Sequence, residues 1–459
     1  MRTLIISLLL TSTLAAQSTT WYAVLEAGDQ AIPVNIVLEE VEGSLQSPQQ
    51  LETRLPFSEY TRTADSLYFT VAPAGLSFRG AVYRDSIAGE FRQGAFATSL
   101  AFYPDPPAGY LVQEPTDRPQ DPSDFPYRRE EVNFAGGAAG VKLVGELTLP
   151  AADTPPRALI VLVSGSGPQD RNSDLGPPIN HRPFLVLSDN LTRRGYGVLR
   201  YDERGVGAST GDFARATSGD FADDAAAAVR YLRGREELTG LPMGIAGHSE
   251  GGLIAPIVAA RHDGLLDFAV LLAAPGHPID TLMLQQRRDI LGSTPLDESV
   301  VRDAYRYTKE NIALDSATYS NGLREVITAA LATLPDSVRS AVANPEDYLE
   351  DYVFSFNTPW MRYFIAYDPA LYLSQVTVPV LAINGELDRQ VSVDNLEAVG
   401  AALERAGNGE VTLIRVPGVN HLLQPATTGA PTEYGQIETT IAPVVLEHMG
   451  AWLDERFGG

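Results

Sequence analysis

The chain has 459 residues, a hydrophobic content of 44%, an aromatic content of 8% and no cysteine. That composition describes an ordinary globular protein long enough for two or three domains, and it excludes disulfides, thiolate metal sites and a cysteine nucleophile. A formal net charge of -24 argues against nucleic acid or an anionic membrane surface as partner.

Arg2 precedes an apolar run from Leu4 to Leu10, followed by small residues up to Ala15 and Ala16. A basic residue, a short apolar stretch and small residues in that order read as a secretory signal peptide over 1–16, with cleavage after Ala16. The run is too short to span a bilayer, and no later segment reaches about 18 uninterrupted apolar residues. The expectation is an exported protein, periplasmic or extracellular, with no integral membrane segment in the mature chain.

Residues 20–103 carry short alternating runs separated by turn signals. In Ser66–Val71, Leu67, Phe69 and Val71 alternate with polar neighbours, the two-residue period of a half-buried strand. Trp21–Leu25, Ile32–Glu40, Leu76–Tyr83, Ser86–Gln93 and Ala95–Tyr103 read the same way. This predicts a small antiparallel β-barrel or sandwich. The Pro- and Asp-rich stretch 104–126 reads as an extended linker.

From residue 127 the pattern changes to α/β. Strands are predicted over Val141–Leu149, Ala158–Val163, Gly197–Tyr201, Phe268–Ala274, Pro379–Asn384 and Val411–Val416. Helices are predicted over Arg182–Gly195, Ala222–Arg233, Val393–Ala406 and Ile441–Glu455. That alternation implies a mostly parallel sheet with helices on both faces. About 276–367 breaks the rhythm with helical patterns alone, as a cap inserted over the strand ends would. It ends in an aromatic cluster, Trp360, Tyr363 and Phe364, fit either to line an apolar pocket or to pack the cap onto the core.

The chemistry centres on Gly247-His-Ser249-Glu-Gly251, set between an apolar strand and an Ala-rich helical segment. There the glycines allow a turn so tight that the Ser249 hydroxyl stands clear of the sheet. A serine needs a base, and the base an orienting acid. Of six histidines, His248 neighbours the nucleophile and points the wrong way. His181 and His277 open helical segments, His262 closes one, and His448 lies inside the last. His421 instead follows a strand in a Gly-containing loop, the edge where open α/β sheets place catalytic groups. Between serine and histidine, Asp388 and Glu386 compete for the acid, and Asp388, which leads into the next helix, is preferred.

Main-chain N–H groups of Glu250 and of Ser166, with Gly167 next, are the expected oxyanion donors. Asp170 and Arg171 are expected to pair and hold the Ser166 loop, and Asp202 and Arg204 to lock the adjacent turn. The Glu250 side chain is read as serving the helix dipole. Nothing has the spacing of a nucleotide or metal motif, so no cofactor and no metal are expected.

The segments 164–171, 202–209, 247–252, 385–388 and 420–421 together resemble the α/β-hydrolase superfamily. Within it they are most similar to bacterial exported esterases of the serine aminopeptidase-like and dienelactone hydrolase-like groups, some of which carry an N-terminal β-domain. The resemblance covers about 127–459. It implies carboxylic ester hydrolysis through an acyl-enzyme on small to medium acyl esters, with a small-molecule ester as partner. A peptidase releasing N-terminal residues, and an inert hydrolase domain beside a lipid- or glycan-binding β-domain, are the alternatives.

Overall fold

The computed structural model describes residues 18–27, 30–48, 54–93, 96–108, 110, 116–176, 179–291, 295–339 and 345–458. The predicted signal peptide lies outside the described residues. The chain divides into two compact units between residues 113 and 114.

The first unit is all-antiparallel. Four strands, Thr19–Ala27, Gln30–Leu38, Gly43–Gln46 and Leu55–Pro56, make one sheet. Five more, Glu59–Arg62, Ser66–Val71, Leu76–Val82, Ile87–Gln93 and Phe96–Phe102, make a second. An isolated bridge between Tyr22 and Tyr103 joins the two. Alternate side chains from both sheets, Ala23 and Ile36 with Phe69, Phe78 and Phe102, share one core. The strands at 43–46, 55–56 and 59–62 are absent from the sequence reading, because they are too short for alternation to show.

The second unit is built on eight strands. They are β1 (Arg128–Ala135), β2 (Lys142–Leu149), β3 (Leu159–Val163), β4 (Gly197–Tyr201), β5 (Met243–His248), β6 (Phe268–Leu272), β7 (Val380–Gly385) and β8 (Val411–Val416). Their spatial order is β1-β2-β4-β3-β5-β6-β7-β8. β2 runs antiparallel to both neighbours, and the pairs from β4 through β8 are all parallel. β3, β4 and β6 are buried at every position, which is why they read as unbroken apolar runs. β1 went unread because only Val132 and Phe134 of its eight residues are buried.

Helices α1 (Pro183–Arg193), α2 (Ser218–Arg233), α3 (Gly251–Arg261), α11 (Asp394–Arg405) and α12 (Pro443–Phe457) flank this sheet and close a core on each face. A Thr217–Asp220 capping box starts α2, satisfying two otherwise unpaired N–H groups. Between β6 and β7 come α4 (Ile279–Leu291), α5 (Pro295–Glu310), α6 (Ser316–Thr333), α7 (Asp336–Arg339), α8 (Pro345–Phe356), α9 (Pro359–Ala366) and the short α10 (Ala370–Leu373). The insertion has a core of its own, including Val300, Tyr305, Tyr319, Ile327 and Ile365. α9 serves two sides, since Phe364 belongs instead to a core beneath the sheet.

The stretch expected as a free linker differs in part. Residues from 116 onward belong to the second unit. Arg118 is buried and donates from Nε to the Ile179 carbonyl at 3.0 Å. Gln120 exchanges two 2.8 Å hydrogen bonds with the Ile441 main chain. Its polar side chains, rather than its prolines, decide where this segment rests.

Candidate active site

The turn after β5 explains its glycines. Ser249 sits at φ 54°, in the left-handed region that a residue with a side chain enters only under strain. A Cβ on Gly247 would lie 2.0 Å from the Gly251 carbonyl oxygen, and one on Gly251 would lie 2.1 Å from that of Val163. Both positions must be glycine for strand, turn and helix to pack. On the other side, Gly165 abuts Ser249: a Cβ there would meet that of Ser249 at 3.1 Å.

Asp388 and His421 come from the loops after β7 and β8, and the main chain ties those loops together. Glu386 N–H donates to the Val416 carbonyl and Leu387 N–H to that of Val419. Gly385 is required here too, because a Cβ would fall 2.1 Å from the Val419 oxygen. Asp388 is buried, with Oδ1 accepting the N–H groups of Gln390 and Val391, each at 2.8 Å. Its Oδ2 lies 2.8 Å from His421 Nδ1, and His421 Nε2 lies 3.1 Å from Ser249 Oγ. The three side chains form one continuous hydrogen-bonded line. Glu386, the competing acid, is exposed, and Asp388 does not cap α11, whose N-cap is Val393.

The other histidines have other tasks. His248 Nε2 donates to the His421 main-chain oxygen at 2.8 Å. Burial first, and the neighbouring His421 second, hold the His248 imidazolium down to about 3, so the ring is neutral at ordinary pH. His181 is likewise buried, held down to about 3, and bonded to the Thr440 carbonyl. His277 pairs with Asp394 on the surface, and His262 with Arg230.

The loop of Ser166 is braced differently from expectation. Asp170 and Arg171 do not pair. Asp170 Oδ1 accepts the N–H groups of Asn172 and Asp174, closing its own turn, while Arg171 forms a two-pronged bond to Asp202. Asp202, across the loop, presents both of its oxygens to the planar guanidinium fork. Arg204 pairs with Asp224 on α2. Glu203, between them, went unread: it is buried, with Oε1 accepting from Ser164 Oγ at 2.8 Å and Oε2 from Gln169 N–H at 3.0 Å. It therefore grips both ends of the loop. Burial pushes its carboxyl up to about 8, and the nearby Glu250 adds to the rise.

Glu250 does more than face a helix dipole. Its side chain is buried, and Oε1 accepts from Ser218 Oγ at 2.6 Å and from Trp360 Nε1 at 2.9 Å. Burial raises its carboxyl above the usual range, opposed by the bonds from Ser218, Trp360 and Ser166. One carboxyl thus joins α2, the inserted helix α9 and the Ser166 loop beside Ser249.

Ser249 and His421 open onto a cavity of about 340 Å³, the size of a small-ligand pocket. Gly165 and Ser166 line it, and so do Trp360 and Phe364, whose rings stack at 4.7 Å. Tyr363 does not line it. It falls on the flank of α9 one helical step from Phe364, with its ring 6.1 Å from Tyr367 and its hydroxyl over Gly219. Among the described residues that line the cavity there is no Asp, Glu, Lys or Arg.

The strand order, the inserted helices and the serine on its strained turn are those of the α/β-hydrolase fold. Comparison with known proteins agrees: residues 182–324 match the family described as serine aminopeptidase, S33. The chain is 25% identical over 315 residues to esterase EstD of Thermotoga maritima, an alignment covering 68% of this chain and 65% of that protein. It is 32% identical over 112 residues to the AB hydrolase superfamily protein YisY of Bacillus subtilis, covering 22% of this chain and 40% of YisY. The chain thus spans under two thirds of the length of either relative. Among solved structures, the Pyrococcus furiosus esterase Pf2001 aligns over 76% of this chain and 100% of its own, at 16% identity and a TM-score of 0.42. Among the described residues of this chain no helix is long and apolar enough to cross a membrane.

Proposed function

We propose that the protein is an exported serine carboxylesterase that hydrolyses small to medium acyl esters. The observation that carries this reading is the unbroken line from Asp388 through His421 to the Ser249 hydroxyl. In the reaction, His421 Nε2 takes the hydroxyl proton as Ser249 Oγ attacks the ester carbonyl. Asp388, already holding Nδ1, stabilises the imidazolium that results. The N–H of Glu250, just ahead of α3, and that of Ser166, across the cavity, receive the developing oxyanion. His421 then returns its proton to the departing alcohol, leaving an acyl-serine. A water activated by the same imidazole releases the acid and restores the hydroxyl.

The uncharged cavity wall supports a neutral ester in preference to a peptide with a free amino terminus. The family description favours the peptidase as second reading, but a free amine calls for a carboxylate. Glu250, beside the nucleophile, is already committed to Ser218 and Trp360. The basic residue, apolar run and small residues of 1–16 support export.

The test compares p-nitrophenyl esters with an aminoacyl p-nitroanilide of matched acyl group, alongside labelling by a fluorophosphonate probe. Ester turnover and labelling, both lost in Ser249→Ala, are expected. Faster cleavage of the anilide would favour the peptidase. A protein that neither labels nor turns over ester would be a binding protein.

A further inference from the structure

The cavity has two chemically different walls. Trp360, Phe364 and Met283 supply an apolar one. Three other lining side chains, Gln286 of α4, Gln390 and Tyr434, are neutral and polar. They are in series: Gln286 Nε2 donates to Gln390 Oε1 at 3.4 Å, and Gln390 Nε2 donates to Tyr434 Oη at 3.0 Å. Because Oη accepts the amide proton, the phenol's own proton is directed elsewhere. The carbonyl of Gln286 and the second N–H of Gln390 add an acceptor and a donor to the same wall. Donors and acceptors side by side, with no net charge, are complementary to hydroxyl groups, which both give and take a hydrogen bond.

The position of this wall relates it to one half of the ester. His421 delivers its proton to the leaving oxygen, so the alcohol departs on the side of the loops carrying base and acid. Gln390 lies two residues after Asp388, and its N–H is bonded to Asp388 Oδ1. Tyr434 is nearly buried, and its carbonyl accepts from Gln424, three residues past His421. Both residues are therefore tied through their main chains to the loops carrying Asp388 and His421.

We infer that Gln390 and Tyr434 form an alcohol subsite that recognises an uncharged polyhydroxylated leaving group, such as glycerol or a sugar. This rests on the esterase reading above.

The experiment measures kcat/KM of the full-length protein for glycerol monoacetate and for n-butyl acetate, which share an acyl group and differ in the alcohol. The wild type is expected to favour the glycerol ester. In Tyr434→Phe, and separately in Gln390→Leu, the ratio of the two kcat/KM values should fall about tenfold, chiefly through KM for the glycerol ester. A wild type that prefers butyl acetate, or variants whose ratio stays within a factor of two of wild type, would overturn the subsite; the wild-type preference needs no variant to fold. If neither ester is hydrolysed and Ser249 does not react with a fluorophosphonate, the esterase reading falls and the subsite with it. Labelling and hydrolysis without the change in ratio defeat the subsite alone.

Discussion

The imidazole of His248 donates to the main-chain oxygen of His421 at 2.8 Å, so the residue before Ser249 holds the loop that carries His421. The reading of His248 as misdirected for proton transfer is consistent with this, and it also explains why a histidine belongs there. A neutral ring with a single N–H to give is a rigid strut between two loops that must stay in register.

Removing that strut should slow chemistry without abolishing it. His248→Ala is expected to lower kcat by up to about 100-fold, the order of loss for a misplacement near 1 Å. KM should move less. Steady-state kinetics across an ester series would check this, and an unchanged kcat would show that the loop stands without the strut.

Asp388→Asn should be more damaging. With the amide oxygen held by the Gln390 and Val391 N–H groups, the NH2 group faces His421 Nδ1 and donates where an acceptor is needed; the wrong tautomer is favoured, and kcat should drop by about 10⁴-fold with little change in melting temperature. Residual activity well above that level would mean that another acid serves.

Glu203 gives a pH signature. Its folded-state value of about 8 lies above the ordinary 4.5 of an exposed glutamate. Between those pH values the folded protein binds more protons than the unfolded one, so stability falls as pH rises from about 4.5 to about 8 and is flat beyond. In Glu203→Gln, an amide can donate to Ser164 Oγ and accept from Gln169 N–H without ionising. The difference in melting temperature, variant minus wild type, should therefore grow across that window. A pH-independent difference would rule the explanation out.

Glu250→Ala would strand two donors in the interior, Trp360 Nε1 and Ser218 Oγ. The expected loss is about 1–3 kcal/mol in denaturant unfolding. Glu250→Gln keeps an acceptor for both, so it should recover most of that loss. Equal destabilisation in the two variants would argue that charge, rather than hydrogen bonding, is what the site uses.

Much of this site was legible in the sequence because its parts obey local rules. The apolar runs of β3, β4 and β6 need no partner to be recognised, and Gly247 and Gly251 mark the turn on their own. The loops after β7 and β8 could be ranked because strand ends in parallel sheets carry function. What could not be read depends on meetings between distant segments. Arg171 chose Asp202 over its neighbour, and Tyr363 turned away from a cavity that Trp360 and Phe364 enter. Glu203 looked like part of a crowded turn until the fold set it beneath the Ser166 loop. Gln390 and Tyr434 carry no motif at all; only proximity makes them a pair.

The bond from the Trp360 indole to the carboxyl beside Ser249 has a practical outcome for anyone who would exchange the helical insertion to alter selectivity. A graft that lacks an equivalent indole or amide leaves an interior acid group short of a partner next to Ser249, so on the esterase reading the loss would show in turnover as well as in substrate range. Transplants meant to retune such a protein should carry residue 360 with them, or mutate position 250 at the same time.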